Sequence, residues 1–301
     1  MKIKIIIAFL FCSLSVNAQL LYEISGNGSN AKSYIFATNR LCNIQFLDTV
    51  PNLFKVFSSS KRTITEMSLF SDLLQKQLAK AAILPDSVGL RNFYTPDEYR
   101  EIAEAISLTI GIPFSKLDRM HPGYLHELYR NALYQKWLGY DENRSSEQFF
   151  QSVSAQQDKD IIALDSPTET LFILFEREPL ELQIKELLQL VRYPERELQR
   201  ERAILKLYKT GDLREIANYL MMPSNESTIR YSDYQIYARR NLGWVKRLKP
   251  WLEEGNCFIC LDANYLGGDD GLLVQLHKNG YKVKAYNSTR KAKKKVKIVD
   301  N

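Results

Sequence analysis

The chain has 301 residues, 45% of them apolar and 25% charged, with a formal charge of +6. Lys2 and Lys4 carry two of those charges, and the segment 290–301 holds six basic residues against one acid, so the body between is near neutral and no basic binding face is indicated. Four cysteines, one of them in the N-terminal apolar run, leave an odd number beyond it and exclude a complete disulfide framework there.

Lys2 and Lys4 precede an apolar run from Ile5 to Leu14, followed by Val16-Asn17-Ala18. This is the pattern of a signal peptide cleaved after Ala18, and the run is too short to span a bilayer. Cys12 lies in a poor lipobox, which favours cleavage over a lipid anchor. The expectation is an exported protein, periplasmic or extracellular. It has a domain over 19–289, a helical middle at about 68–235 and a disordered basic tail over 290–301.

Leu20–Ile24 and Ser33–Ala37 are β-type runs joined by Gly26-Asn27-Gly28-Ser29-Asn30, which predicts a hairpin. A short helix is expected over Asp48–Phe57, then a strand Thr63–Glu66 ending in a carboxylate. Ser68–Ala82 is amphipathic. Thr95-Pro96-Asp97-Glu98 is a capping box with proline at the first helical position, opening a helix that Gly111 and Pro113 stop near Ile110. Helical patterns recur over Tyr124–Leu138, Glu147–Ala155, Thr168–Phe175, Leu180–Val191 and Glu195–Tyr208, interrupted by a short strand, Asp160–Asp165.

From Arg239 to Tyr286 the pattern is helix, buried strand Asn256–Leu261, glycine-bearing loop, helix, and alternating strand Tyr281–Tyr286. Asp269 or Asp270 is expected to cap the second helix, and Gly280 to close it in the left-handed conformation. Cys257 and Cys260 have CxxC spacing but lie on the strand, where residues three apart face opposite ways. Buried structural thiols are expected rather than redox chemistry. Ligands of such strand–helix units gather beyond the carboxyl end of the first strand, which points to Asp262, Asn264 and Tyr265.

Asp262-Ala263-Asn264-Tyr265-Leu266-Gly267-Gly268-Asp269-Asp270-Gly271-Leu272, followed by Gly280-Tyr281-Lys282-Val283, resembles the second signature of the TraB/GumN family, which includes the Tiki-type metalloproteases. That signature commonly reads G-A-G-H-L-x-G-x-x-G-L. Phe36-Ala37-Thr38-Asn39-Arg40 resembles the first, F-G-T-x-H. Arg40 and Tyr265 therefore stand where the family has metal-binding His. Glu66, Asp165, Pro179-Leu180-x-x-Gln183, Gly211-Asp212-Leu213 and Arg240-Asn241-x-x-Trp244 fit the family in order and spacing. The resemblance implies a mixed α/β fold. In it a mixed β-sheet is flanked by helices, and two strand–loop–helix–strand signature units meet over the sheet with a long helical insert between them.

Metal-dependent hydrolysis needs several converging N or O donors. Only His121, His126 and His277 are available, and the first two, five residues apart, do not share a helix face. No GxSxG elbow, Walker loop or GxGxxG follows a strand. Three acids at strand ends, Glu66, Asp165 and Asp262, are the catalytic candidates if the chain is a hydrolase. They would serve as ligands for a hard cation or as an acid–base pair. For a binding cleft, the candidates are Thr38, Arg40, Asn264, Tyr265, Arg240 and Asn241. The preferred expectation is a scaffold without cofactor or metal that binds a peptide, glycan or partner protein, with the metal-dependent hydrolase as the alternative. Within it, Arg40 is expected to hydrogen-bond Glu66, Asp165 or Asp262. The basic run 290–297 could tether the chain to anionic lipid or cell-wall polymer. Nucleic acid is not an expected partner, since no aromatic is interleaved with the lysines.

Overall fold

The computed structural model describes residues 19–29, 31–222 and 229–286. The proposed signal peptide and the basic tail lie outside the described residues. Strands β1 (Leu21–Ser25) and β2 (Ser33–Thr38) form the N-terminal hairpin. After α1 (Ile44–Leu47) and α2 (Leu53–Ser59) comes β3 (Arg62–Thr65). The helical middle contains α3 (Asp72–Ala81), α4 (Pro96–Ile110), α5 (Pro122–Leu138) and α6 (Ser146–Gln156), then β4 (Asp160–Ala163). It continues with α7 (Pro167–Leu171), a π-helical turn over Phe172–Glu176, α8 (Leu180–Arg192), α9 (Pro194–Thr210) and α10 (Leu213–Met221). Last come α11 (Ile229–Glu254), β5 (Cys257–Asp262), α12 (Leu272–Lys278) and β6 (Lys282–Ala285).

The six strands make one mixed sheet in the order β4-β3-β5-β2-β1-β6, and 59% of the described residues are helical. Four strands, β2, β5, β3 and β4, run parallel, so their carboxyl ends open on the same side. β2 and β5 are the two signature strands, and they lie side by side with Thr38 paired to Asp262. The insert contributes one of its own segments, β4, to the sheet edge beside β3.

Apolar side chains are divided between two cores. One packs under the sheet, where Phe150 meets Phe36, Phe57 and Phe258 in edge-on or tilted ring contacts. The other, built from Ile102, Ile106, Leu125, Leu133 and Leu187, holds α4, α5 and α8 together. Each fully buried Leu, Ile or Phe in these cores stabilises the fold by roughly 1.5–3 kcal/mol.

Helix starts follow local chemistry. Thr95 and Ser166 each accept from the backbone three residues on, while Glu98 and Glu169 reach back, which completes two capping boxes. The expected aspartate cap of α12 is not formed: Gly271 is its N-cap, without a side-chain bond. The reason is steric. A Cβ at Gly271 would lie 2.1 Å from the Gly267 carbonyl, and one at Gly267 only 1.8 Å from the Leu213 carbonyl. The second signature loop is thus folded tightly on itself and onto α10, and its glycines permit that approach.

Candidate functional site

Each parallel strand delivers one charged residue to the open side of the sheet. Arg40 lies two residues past β2, Glu66 one past β3, Asp165 two past β4, and Asp262 ends β5. The helical middle closes over these ends. α5 contributes His126, Glu127 and Arg130, while α9 contributes Glu197, Arg200 and Glu201. Between them is a cavity of about 430 Å³ at the seam between the sheet core and the helical core, in the place where open α/β sheets gather ligands.

The acids are held by backbone and by α11. Glu66 Oε1 accepts the Asp262 N–H at 3.0 Å, and Asp262 Oδ1 accepts the Asn264 N–H at 2.9 Å. Arg240 donates to Glu66 Oε2 at 3.2 Å and to Asp165. Trp244 Nε1 donates to the other Asp165 oxygen at 2.7 Å. The Arg240 guanidinium also lies 4.6 Å from the Trp244 ring centre and 4.5 Å from that of Tyr265, a geometry that suits a delocalised cation.

Burial pushes the Asp262 carboxyl up to about 8, assisted by the nearby Glu66 charge and opposed by the Asn264 N–H. Burial also raises Glu66, although Arg240 and the Asp262 N–H oppose the shift. Asp262 therefore retains a proton at neutral pH while standing beside a second carboxyl.

A second charged group lines the opposite wall. Glu127 pairs with Arg130 and stands 3.9 Å from Arg40. Tyr134 donates to Glu197, whose other oxygen is 3.6 Å from Arg200. Burial alone would raise Glu127, but Arg130, His126 and Arg40 together hold it well below the usual carboxylate range. Burial raises Glu201, opposed by the Arg200 charge and more weakly by Arg40 and Arg130; it makes no hydrogen bond or ion pair among the described residues.

The structure brings together Arg40, Glu66, Asp262, Asn264, Tyr265 and Arg240 on this cavity. Asp165 lies behind them, shared with a neighbouring cavity of about 550 Å³. Thr38, beside Asp262 on the paired strands, and Asn241 are buried and do not line the cavity. Asn241 donates to the carbonyls of Tyr265 and Asp270, so it shapes the second signature loop from behind.

Arg40 corrects an expectation. It makes no hydrogen bond to Glu66, Asp165 or Asp262; its ion pair is with Glu127, and it lies 5.5 Å from the Tyr134 ring centre. Arg240 already occupies Glu66 and Asp165, which leaves Arg40 to turn toward α5. The sequence reading missed Glu127, Arg130, Glu197 and Glu201 altogether. Their only signal was a run of charges on helices with otherwise apolar faces, a pattern that solvated helices share.

The metal ion that the resemblance implies does not fit these residues. Positions 40 and 265 supply a guanidinium and a phenol. Glu66 is already bonded on both oxygens, and among the described residues no three His, Cys, Asp or Glu side chains are grouped to hold a metal.

The chain matches the family model described as the TraB/PrgY/gumN family over residues 20–285. No curated protein and no solved structure matches the chain.

Proposed function

Since the chain belongs to the TraB/PrgY/gumN family, we propose that it keeps the family scaffold as a binding protein and has given up metal-dependent hydrolysis. The cleft would take a peptide, glycan or protein partner. One observation carries the reading: Arg40, at the first signature, places a permanent cation on the wall of a cavity whose other signature position is Tyr265, packed against the Trp244 ring and the Arg240 guanidinium. The two signature positions thus offer a guanidinium, which has no lone pair to give a metal, and a phenol that keeps its proton at neutral pH. The N-terminal pattern of Lys2, Lys4 and Val16-Asn17-Ala18 supports export, with the binding then outside the cytoplasm, and the mass of the mature protein tests cleavage after Ala18.

The direct test is metal content. The purified protein is expected to hold no stoichiometric Zn, Mn or Co after dialysis against a weak chelator. One equivalent retained would defeat the proposal.

A second reading rests on Asp262. A carboxyl that keeps its proton to about 8 beside Glu66 is the arrangement of a general acid with a neighbouring base, as in metal-free glycoside hydrolysis. Chelator-resistant hydrolysis of polysaccharide or peptide, abolished by Asp262→Asn, would favour this reading over the first.

A further inference from the structure

The ionic cavity adjoins the 550 Å³ cavity through a common wall of Ile173, Arg177, Glu178 and Arg240. The neighbour lies between the π-helical turn and α11, and its apolar surface comes from Phe172, Ile173, Ile236 and Trp244. Gly243 opens onto it, and a Cβ there would meet nothing within 4 Å.

Charge in the ionic cavity is unbalanced. Eight acidic side chains face it against five arginines. All five arginines are engaged: Arg130 and Arg40 by Glu127, Arg200 by Glu197, Arg177 by Glu178, and Arg240 by Glu66 and Asp165. Three of the acids form no ion pair among the described residues: Glu147, which accepts from Ser146 at 3.4 Å, Glu201 and Asp262. Glu201 is only 8% exposed, lines the cavity and carries no hydrogen bond or ion pair among the described residues. Asp262 accepts one backbone N–H on Oδ1 and has no cation within ion-pair distance among the described residues. Both feel Arg40 electrostatically, so they belong to one region of the cavity. A buried carboxyl without a partner costs free energy unless it is neutralised, by a proton or by a cation brought from outside. The upward shift of both groups is consistent with the first device in the empty protein.

We propose that the two cavities take one ligand, an organic cation with an apolar arm. An ammonium or guanidinium sits by Glu201 and Asp262, and a hydrocarbon or aromatic group sits against Ile173, Trp244 and the open face of Gly243. A basic residue next to an apolar one in a peptide has this chemistry, and so does a small arylalkylamine. The inference rests on the binding reading above and specifies its ligand class.

Calorimetric titration with 4-phenylbutylamine, 4-phenylbutyrate and butylamine tests it. The arylamine is expected to bind at least tenfold more tightly than either of the others. Glu201→Gln preserves size and should weaken the arylamine at least fivefold. Gly243→Leu fills the apolar cavity and replaces glycine with a better helix former. It should weaken the arylamine by a similar factor, leave butylamine unchanged and leave the thermal midpoint no lower. Acetyl-Phe-Lys-amide binding above the arylamine, with acetyl-Phe-Gln-amide far below, would assign the ligand to peptides. The reverse order of the first two would assign it to small amines. The inference is overturned if phenylbutyrate binds as tightly as the amine, if either variant leaves the amine unaffected, or if no probe binds. Tight binding of an anion in the cleft would sink the cationic ligand yet leave a binding cleft standing. Stoichiometric metal would sink the binding reading itself.

Discussion

Arg240 and Asp165 form an ion pair at the floor of the cleft, and the same guanidinium nitrogen reaches Glu66 at 3.2 Å. One side chain from α11 thereby ties together the segments that follow β3 and β4. Only 11% of the Arg240 side chain and 4% of that of Asp165 are exposed. Removing one partner of such a pair leaves the other buried and uncompensated, which costs about 3–5 kcal/mol. Arg240→Ala is therefore expected to lower stability by that amount in urea unfolding. Arg240→Lys should recover only part, since a compact ammonium cannot match the planar guanidinium's contact with both the Trp244 and Tyr265 rings. A loss below about 1 kcal/mol would show the pair to be marginal.

Arg40 provides the contrast. Its side chain is 35% exposed, and its distance to Glu127 is 3.9 Å. Half-exposed pairs at that separation are worth about 1 kcal/mol or less. Arg40→Ala should move the urea midpoint little, and any phenotype should appear in ligand binding.

The difference between those two arginines marks what could be read from the chain. The β5–α12–β6 unit was legible because a buried apolar run, a glycine-rich loop and Gly280 are local signals. Gly280 does adopt a φ of +90° at the end of α12. The Pro96 helix was legible from its capping box for the same reason. Pairing across the site was not. Arg40 and Arg240 are both arginines near acids in the fold. Which one reaches Glu66 depends on how α11 crosses the strand ends, a contact 174 residues apart in sequence. Glu127 and Glu197 likewise become one cluster only when α5 packs on α9.

The second signature loop owes its glycines to close packing. A Cβ at Gly267 would lie 1.8 Å from the Leu213 carbonyl, closer than any shift of a flexible side chain could relieve. Gly267→Ala should displace the loop from α10 and destabilise the protein by more than the roughly 1 kcal/mol ascribed to ordinary backbone effects of glycine. Gly243→Ala meets no atom and should be neutral or stabilising. Thermal unfolding of the pair, side by side, checks the assignment.

Cys42, Cys257 and Cys260 are buried and free. Burial pushes the Cys42 thiol up to about 11 and raises both strand cysteines, Cys260 beyond the range of an ordinary thiol. The thiolate is the reactive form, so these three groups should resist a disulfide reagent at neutral pH until the fold opens. The expected result is a labelling rate that follows global unfolding as urea is added. Rapid modification of Cys257 or Cys260 in the native state would contradict their placement on the covered strand β5.

The pH dependence of stability isolates Asp262. An unfolded aspartate titrates near 3.9, whereas burial and the Glu66 charge raise Asp262 to about 8 in the fold. The native state therefore binds a proton that the unfolded state has released throughout that interval. Stability from this group is complete below the lower value and is lost as pH rises through the upper one. Each unit of separation corresponds to about 1.4 kcal/mol if the cavity does not relax. Glu66 and Glu201 shift in the same direction, while Glu127, Glu169 and Glu197 shift the opposite way, so the wild-type curve alone mixes several groups. Asp262→Asn removes one of them and keeps an oxygen to accept the Asn264 N–H. The variant should gain on the wild type steadily between about pH 4 and pH 8, by at least about 1 kcal/mol in all, and the gap should level off above that. Two stability curves that stay parallel across this window would mean that Asp262 ionises normally and that the neighbouring Glu66 does not share its field.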